Sequence, residues 1–364
     1  MKKALFVFLS ILAMVAIVVV GCAKPAATPT GEGTTAATTP PKEGVVECKF
    51  SVAGPMWLDA AEGFGLNAYM AMFQALVEKH PKFKDKFVLK IYDKAQLYNM
   101  NDAQTALASG AIHMTYGGPH YFEQWNPAWA LLEAPGIIDN YEHFMRVLET
   151  DPFQALTQEL AGKGTTILAW MGNVGDVYLF TSKPINSLSD LKGIKMRYFG
   201  GEGQAKALAA LGAEPVFLPY TEVVTALQTK QIEGVVTDLS GALFFYELPR
   251  YTPYLLPYVI SVQPVCMTAN TKWLDSVPES GQLTDPGMRE LISHPVWGYF
   301  NRMDTWPYYE RQGAIMMQFW KASAKVSPYN EDDAKKLKQV MVDAQKSIFA
   351  KLDPKYMQAI DSAR

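Results

Sequence analysis

The sequence predicts an α/β fold with two lobes and largely parallel sheets. From residue 45 onward, apolar stretches with the period of a strand alternate with stretches of helical period, and this alternation runs twice along the chain. Such alternation is typical of βαβ units around parallel strands. With 49% hydrophobic and 19% charged residues over 364 positions, the chain can fill a large core and is long enough for two domains.

The elements of the first run are short apolar strands and helices bounded by capping residues. An asparagine at the N-cap and Gly110 after the last turn delimit the helix at 101–109. The predicted strands are 45–52, 87–92, 112–116 and 165–171. The predicted helices are 58–79, 101–109, 140–150 and 153–161.

The second run repeats the pattern and is followed by helices from residue 295 on. Its predicted strands are 177–181, 194–198, 216–218 and 233–237. Its predicted helices lie near 188 and at 204–211, 222–230 and 331–343. In open α/β sheets, ligands bind beyond the carboxyl ends of the strands, so we expect a site there.

Composition and motifs exclude several classes of function. The formal net charge of −3 argues against nucleic-acid binding, which normally requires a basic face. The chain lacks the H-E-x-x-H, paired C-x-x-C, P-loop and G-x-S-x-G motifs, so the sequence predicts no catalytic activity, metal or cofactor. His113 and His120 are better explained as two surface or cleft residues than as a shared metal site. Cys48 and Cys266 lie in predicted strands and could form a disulfide after export or stay buried thiols.

The N-terminus has the features of a secretory signal. Residues 1–21 join a basic start to an apolar run of 17 residues, Ala4–Val20, interrupted only by Ser10. A transmembrane anchor is the alternative, since 17 residues is the short limit for spanning a bilayer. The small residues before Cys22 resemble the lipobox of bacterial lipoproteins, which implies that Cys22 carries the palmitate-type lipid anchor of the mature protein.

Residues 22–44 are predicted to be a disordered tether. Thr, Ala, Pro and Gly make up 18 of these 23 residues, and such a segment can bury almost no apolar surface. We therefore expect the folded part to lie outside the cytoplasmic membrane, lipid-anchored in the periplasm or on the cell surface.

One long stretch carries a specific resemblance. It comprises PINSLSDLKGIKMR at 184–197, LGAEP at 211–215, YTEVVTALQ at 220–228 and IEG at 232–234. Residues 96–97, 108–112, 245–247 and 273–278 support the same match. Over roughly residues 46–275, the chain resembles the DctP-type family of extracytoplasmic solute-binding proteins of tripartite ATP-independent periplasmic (TRAP) transporters.

The resemblance implies a two-lobed periplasmic-binding-protein-like (Venus flytrap) fold, with mixed, mostly parallel sheets and long connecting elements. Lobe I would comprise 45–174 and about 261–302, and lobe II would comprise 175–260 and about 303–364 with the C-terminal helices. Such a protein is not an enzyme. It captures a small organic acid and delivers the ligand to TRAP permease membrane subunits. A ligand-binding partner of a membrane sensor and, less favoured, a secreted α/β enzyme are the alternatives.

The family motif implies that Arg197 binds the ligand carboxylate, which matches its rigid two-donor fork. A surface ion pair with Asp190 or Glu202 is the alternative role. Tyr220 would pack on the ligand or belong to the core. Thr237 can donate one hydrogen bond where many members have asparagine.

Two further positions bear on the ligand. A second arginine of many members would fall near Asp176 or Val177, and its absence argues against a dicarboxylate or a sialic-acid-like ligand. Asp176 and Asp238 could contact an amino group or a cation on the ligand, or could be solvated turn residues.

Aromatic residues near strand ends suggest an apolar cleft. Trp57 follows the first strand, Tyr121 flanks the Gly-Gly-Pro loop that contains Gly118, and Phe199 ends a strand. Tyr116 and Trp170 are similarly placed, and each of these residues could instead belong to the core. If several face the cleft, the ligand is a monocarboxylate with an apolar or aromatic portion, which could also bear an amine.

Overall fold

The computed structural model describes residues 45–52, 85–92, 95–277, 292 and 306–364, without the side chains of 171–174 and 306–312. The predicted signal peptide and tether, Cys22, Trp57 and the predicted helix at 58–79 lie outside the described residues. Within them the α/β fold class is confirmed, because strands and helices alternate along the chain around one mixed sheet.

The described strands form a single nine-stranded sheet. Along it the order is β2-β1-β3-β8-β4-β7-β5-β6, with β9 pairing β8. The strands are β1 (Val46–Ser51), β2 (Phe87–Tyr92), β3 (Met114–Gly117), β4 (Thr165–Thr181), β5 (Lys195–Tyr198), β6 (Glu214–Phe217), β7 (Gly234–Asp238), β8 (Tyr254–Asn270) and β9 (Lys325–Val326). The β1–β2, β1–β3, β5–β6 and β5–β7 pairs are parallel, whereas β8 pairs antiparallel with both β3 and β4.

Two long strands connect the halves of the sheet. β4 and β8 have 17 residues each and pair antiparallel. The first part of β4 (165–173) pairs with 264–270 of β8, next to β3, and the last part (176–181) pairs with 254–262. We call the β1–β3 side lobe I and the β5–β7 side lobe II; their exact boundaries stay a prediction.

The sequence predicted two strands, at 165–171 and 177–181, where the structure has one continuous strand. The apolar alternation is interrupted at Gly172, Asn173 and Gly175, and such residues normally indicate a turn. In the structure they coincide with shifts in the β4–β8 register instead of a chain reversal.

The helices of the described residues lie between and after the strands. They are α1 (Met100–Ser109), α2 (Tyr141–Leu148), α3 (Asp151–Gly162), α4 (Glu202–Ala210), α5 (Val223–Gln228), α6 (Thr271–Ser276), α7 (Trp306–Ser323), α8 (Glu331–Phe349) and α9 (Pro354–Ser362). Asn99 caps the start of α1, and Gly110 ends it at φ 82°, a left-handed conformation that glycine adopts without strain. None of the described helices has the length and apolar character needed to cross a bilayer.

The C-terminal helices contact both lobes. Leu337 and Met341 of α8 are buried in the core of lobe II. The Gln345 Nε2 of α8 donates to the Gly203 oxygen of α4 at 3.0 Å. Tyr356 of α9 instead packs edge-on against Phe153 of α3, in lobe I, with 5.5 Å between ring centroids. The chain therefore returns from lobe II to lobe I at its end.

The two cysteines of the folded part are buried thiols. Cys48 in β1 and Cys266 in β8 are both free, so of the two alternatives the structure shows the unpaired one. Burial raises the pKa of each thiol well above its ordinary value.

Gly164 provides a test of the connection between α3 and β4. Its φ is 94°, and a Cβ would lie 2.5 Å from the Ala108 carbonyl oxygen. Gly164→Ala should lower the free energy of unfolding by about 2–4 kcal/mol, since strain and a backbone clash combine. Gly162→Ala is the matched control, because its Cβ would meet no atom within 4 Å. It should change stability by about 1 kcal/mol or less in chemical denaturation. Equal effects of the two substitutions would contradict this account.

Candidate functional site

Arg197 lies on β5 in the interior of the protein. It is 2% exposed, its Nε donates to the Leu218 oxygen at 3.0 Å, and an Nη donates to the Val236 oxygen at 3.4 Å. No carboxylate of the described residues lies within 4.0 Å of its guanidinium. A buried cation normally has a counter-charge, so this guanidinium is suited to an anion from outside the chain.

The predicted alternative, a surface ion pair of Arg197, is wrong. Asp190 accepts the backbone N–H groups of Asn186 and Ser187 at 2.8 and 3.0 Å, in a capping box. Glu202 pairs with Lys206 at 2.8 Å. Both acids therefore have local partners, and Arg197 is buried away from the surface.

Two aromatic rings of lobe II flank Arg197. Its Cζ lies 5.6 Å from the ring centroid of Phe199 and 5.7 Å from that of Tyr246. The side chain of Gln204 accepts the N–H groups of Phe199 and Gly200, which holds the turn after β5 in place. Burial raises the pKa of Tyr246, and the charge of Arg197 opposes that shift.

Tyr121 brings lobe I to this cluster. It belongs to the 3₁₀ helix Pro119–Phe122, directly after β3. Burial raises the pKa of its hydroxyl well above the ordinary value, with a smaller opposing contribution from Arg197. The ring of Tyr121 packs on that of His120 at 3.7 Å, and the His120 ring lies 5.7 Å from Phe199, so this part of lobe I lies next to the aromatic neighbours of Arg197.

Tyr220 packs with the core of lobe II. Its ring lies 6.2 Å from that of Phe245, and it contacts a cluster that includes Leu218 and Val223. Trp170 is also a core residue, 4.9 Å from the ring of Phe144 in lobe I.

A buried histidine–carboxylate pair lies beside Tyr121. Glu133 Oε2 accepts the backbone N–H of His120 at 2.9 Å and lies 2.6 Å from its Nδ1. The His120 ring is 3.7 Å from the ring of Tyr121 and 5.7 Å from that of Phe199. A Cβ at Gly118 would approach Glu133 Oε1 to 3.2 Å and the Pro264 oxygen to 3.1 Å, so this glycine permits close packing of the loop.

Asp238, Thr237 and Asp176 lie at the junction of β4 and β7. Asp238 is 3% exposed, and its Oδ1 accepts the N–H groups of Ser240 and Gly241 at 2.8 and 2.9 Å. It therefore stabilises a turn, but it is buried and not solvated as the predicted alternative had it, and burial raises its pKa. Thr237 Oγ1 lies 3.4 Å from Asp238 Oδ2. Asp176 is exposed, and its charge adds to the effect of burial in raising the pKa of Tyr178 to about 12.

Sequence reasoning identified part of this arrangement. The structure brings Arg197, Phe199 and Tyr121 together. It adds Tyr246 and Glu133, and it places His120 beside Tyr121. The sequence signal for His120 is its position after the Gly-Gly-Pro turn of β3. Among the described residues, no group of three His, Cys, Asp or Glu side chains could hold a metal ion.

Glu123 extends from lobe I to the start of α4. Its carboxylate lies so close to Gly201 that a Cβ there would overlap it. Burial raises the pKa of Glu123 to about 7, Glu133 and Glu202 add to the shift, and His120 opposes it.

Comparisons with known proteins agree with one another. The family model described as "Bacterial extracellular solute-binding protein, family 7" (DctP) matches residues 61–284. A solute-binding protein of Sulfitobacter sp. is 30% identical over 233 residues, covering 61% of this chain and 69% of the relative. The 2,3-diketo-L-gulonate-binding periplasmic protein of Escherichia coli is 28% identical, covering 42% of this chain and 46% of that protein. The chain thus matches these curated relatives over about half to two thirds of their length.

Solved structures share the fold at low sequence identity. DctP7 of Bordetella pertussis, a solute receptor binding pyroglutamic acid, has a TM-score of 0.75 at 15% identity, covering 88% of this chain and 100% of its own. A TRAP periplasmic solute-binding protein of Haemophilus influenzae with bound L-gulonate has a TM-score of 0.74 at 16% identity, with the same coverage of both chains. These likenesses confirm the predicted two-lobed fold.

The raised pKa of Glu123 makes stability depend on pH. A carboxyl whose pKa rises on folding stabilises the folded state fully below its unfolded pKa of 4.5, and this contribution is lost as the pH rises through about 7. Glu123→Gln is uncharged throughout. The free energy of unfolding of Glu123→Gln relative to that of the wild type should therefore increase by about 1–3 kcal/mol between about pH 5 and about pH 8.

Chemical denaturation across that pH range measures the difference. Glu214→Gln, at an exposed glutamate of the edge strand β6, is the control and should follow the wild-type profile. If the free energies of unfolding of Glu123→Gln and the wild type changed with pH in parallel, the raised pKa of Glu123 would be refuted.

Proposed function

The chain belongs to family 7 of the bacterial extracellular solute-binding proteins, the DctP family of TRAP transporters, and on that premise we propose that it captures a small monocarboxylate with an apolar or aromatic portion. Members of this extracytoplasmic family are solute-binding receptors and not enzymes.

The buried, carboxylate-free guanidinium of Arg197 carries this proposal. A ligand carboxylate would supply the missing counter-charge and accept two parallel hydrogen bonds from the planar fork. The site excludes most water, so the interaction is stronger than the same pair at the surface. Backbone acceptors at Leu218 and Val236 hold the side chain ready for such a ligand.

The rings around Arg197 support an apolar portion of the ligand. Phe199, Tyr246 and Tyr121 present aromatic surface within the same cluster. The second arginine of many family members would fall near Asp176 or Val177, and neither residue is basic, which favours one carboxylate over two. Among the solved relatives, pyroglutamic acid and L-gulonate are monocarboxylates, whereas succinate is bound by a relative from Shewanella oneidensis.

An amine on the ligand has less support. Asp238 Oδ1 already accepts two backbone N–H groups, and Oδ2 lies beside the Thr237 hydroxyl. Its carboxylate therefore stabilises the turn after β7. Of the two acids singled out from the sequence, Asp176 is the one with exposed surface.

The proposal also includes delivery of the ligand to a permease and a lipid anchor on the protein. The loaded protein would pass its ligand to the membrane subunits of a TRAP permease, as solute-binding proteins of this family do. Cys22 would carry the lipid anchor, with 22–44 as the tether. A membrane sensor is the alternative recipient.

The ligand itself provides the test of Arg197. Mass spectrometry of the acid that co-purifies with the protein should identify a monocarboxylate, which is then titrated into ligand-free protein by calorimetry. Arg197→Ala should weaken binding by about 2–5 kcal/mol, as for loss of a buried charged hydrogen-bond partner. Arg250→Ala is the control, since Arg250 forms an exposed pair with Glu247 and should leave affinity unchanged. Recovery of a dicarboxylate, or an unchanged affinity of Arg197→Ala, would overturn the proposal.

The anchor is tested by cell fractionation. Cys22→Ser removes the sulfur that would be acylated, so the protein should leave the membrane fraction and become soluble. Cys48→Ala alters a buried thiol of the folded part and should remain with the membrane. An unchanged distribution of Cys22→Ser would argue against lipid anchoring.

A further inference from the structure

The His120–Glu133 pair contains two buried polar atoms without a partner. The side chains are 8% and 4% exposed. Glu133 Oε2 holds both the backbone N–H and the Nδ1 of His120. Within the described residues, His120 Nε2 and Glu133 Oε1 are buried and form no hydrogen bond. Buried polar atoms in native proteins nearly always have a partner, so each of these atoms needs an explanation.

The two atoms differ in what surrounds them. Oε1 of Glu133 lies under the backbone at Gly118, and its carboxylate is already engaged through Oε2. Nε2 of His120 lies across the imidazole from Nδ1 and therefore away from Glu133. The ring contacts Tyr121 and, across the lobes, Phe199.

Phe199 connects this histidine to the proposed carboxylate site. Its ring centroid lies 5.7 Å from that of His120 and 5.6 Å from Cζ of Arg197. Arg197 belongs to lobe II and His120 to lobe I, so the two polar groups approach one aromatic ring from opposite lobes. A ligand that lies along this ring can reach both groups.

Building on the proposed function, we propose that His120 Nε2 binds a hydroxyl group of the ligand and that Glu133 positions the imidazole. The ligand is then a hydroxy acid, with its carboxylate on Arg197 and its hydroxyl on His120. In this arrangement Glu133 does not contact the ligand. It fixes the tautomer with Nδ1–H and the orientation of the ring.

A hydroxyl fits Nε2 in both protonation states of the ring. With Nδ1–H held by Glu133, the neutral ring accepts a hydrogen bond at Nε2, and the hydroxyl donates it. The imidazolium donates at Nε2, and the hydroxyl oxygen accepts. A methylene at the same position would leave the nitrogen buried and unpaired, which is the kind of mismatch by which sites reject analogues.

Matched pairs of acids test the inference directly. Phenyllactate and phenylpropionate differ only in the hydroxyl, as do hydroxyisocaproate and isocaproate. In calorimetry, the wild type should bind the hydroxy acid of at least one pair about 10–100-fold more tightly than its partner, the range expected for a hydrogen bond to a buried group.

Two substitutions at His120 separate the roles of its nitrogens. His120→Asn retains an N–H donor toward Glu133 near the position of Nδ1 but removes Nε2. The hydroxy-acid preference should then fall to about onefold. His120→Gln places an amide near the position of Nε2 and should retain part of the preference. Melting temperatures with and without ligand confirm that each variant is folded.

His143 offers a matched control elsewhere in lobe I. It is also buried, with Nδ1 3.6 Å from Asp139, but its Nε2 is paired with the Ile360 oxygen at 2.9 Å. His143→Asn should lower stability without changing the preference for the hydroxy acid.

The outcomes distinguish this inference from the function on which it rests. Equal binding of both members of each pair by the wild type would overturn the inference, as would an equal loss of both affinities in His120→Asn. The first result means that water or nothing occupies Nε2, and the second means a purely structural role. In either case Arg197→Ala would still weaken both acids, and the monocarboxylate proposal stands. If the wild type binds none of these acids, that proposal is overturned, and the inference falls with it.

Discussion

The antiparallel pairing of β4 and β8 is the constraint on which the rest of the structure depends. Each strand runs through both lobes, so one ladder of backbone hydrogen bonds sets the position of β3 on one side and of β7 on the other. One of the register shifts along β4, between Asn173 and Asp176, falls where the neighbours change from lobe I to lobe II. Because Arg197 lies on β5 beside β7, and His120 follows β3, this ladder also determines which residues of the two lobes meet.

Where the two lobes meet, charged side chains are arranged as specifically as the packed aromatic rings. Lobe II contributes the cation Arg197, whereas lobe I contributes Glu123, Glu133 and His120. Neither acid lies within ion-pair distance of Arg197 in the described part of the chain. Aromatic rings separate the groups, so the cation keeps its capacity for an anion while Glu133 is occupied by His120.

Local patterns in the sequence predicted strands and motif residues correctly, but they did not reveal contacts between residues that lie far apart along the chain. The strand at 87–92 has the predicted bounds, because its alternation and flanking residues are local signals. Arg197 was recognised from its motif, yet its neighbour Tyr246 lies 49 positions along the chain and only the fold brings them together. The contact between His120 and Glu133 depends on two successive 3₁₀ helices, since His120 lies in Pro119–Phe122 and Glu133 directly follows Pro127–Leu132. The continuity of β4 was hidden by turn-forming residues, whose register shifts are stabilised by β8 and not by the local sequence.

The return of the C-terminal helices to lobe I has a mechanical consequence. Within the described residues, the chain passes between the lobes along β4, along β8 and again from α8 to α9. Two lobes joined by a single connection can rotate about any axis, whereas each additional connection restricts the axes about which they can rotate. The side chain of Gln345 fastens α8 to α4, next to the turn that holds Phe199. The C-terminal helices thus form a third connection between the lobes, which favours hinge rotation about a single axis over free rotation of one lobe against the other.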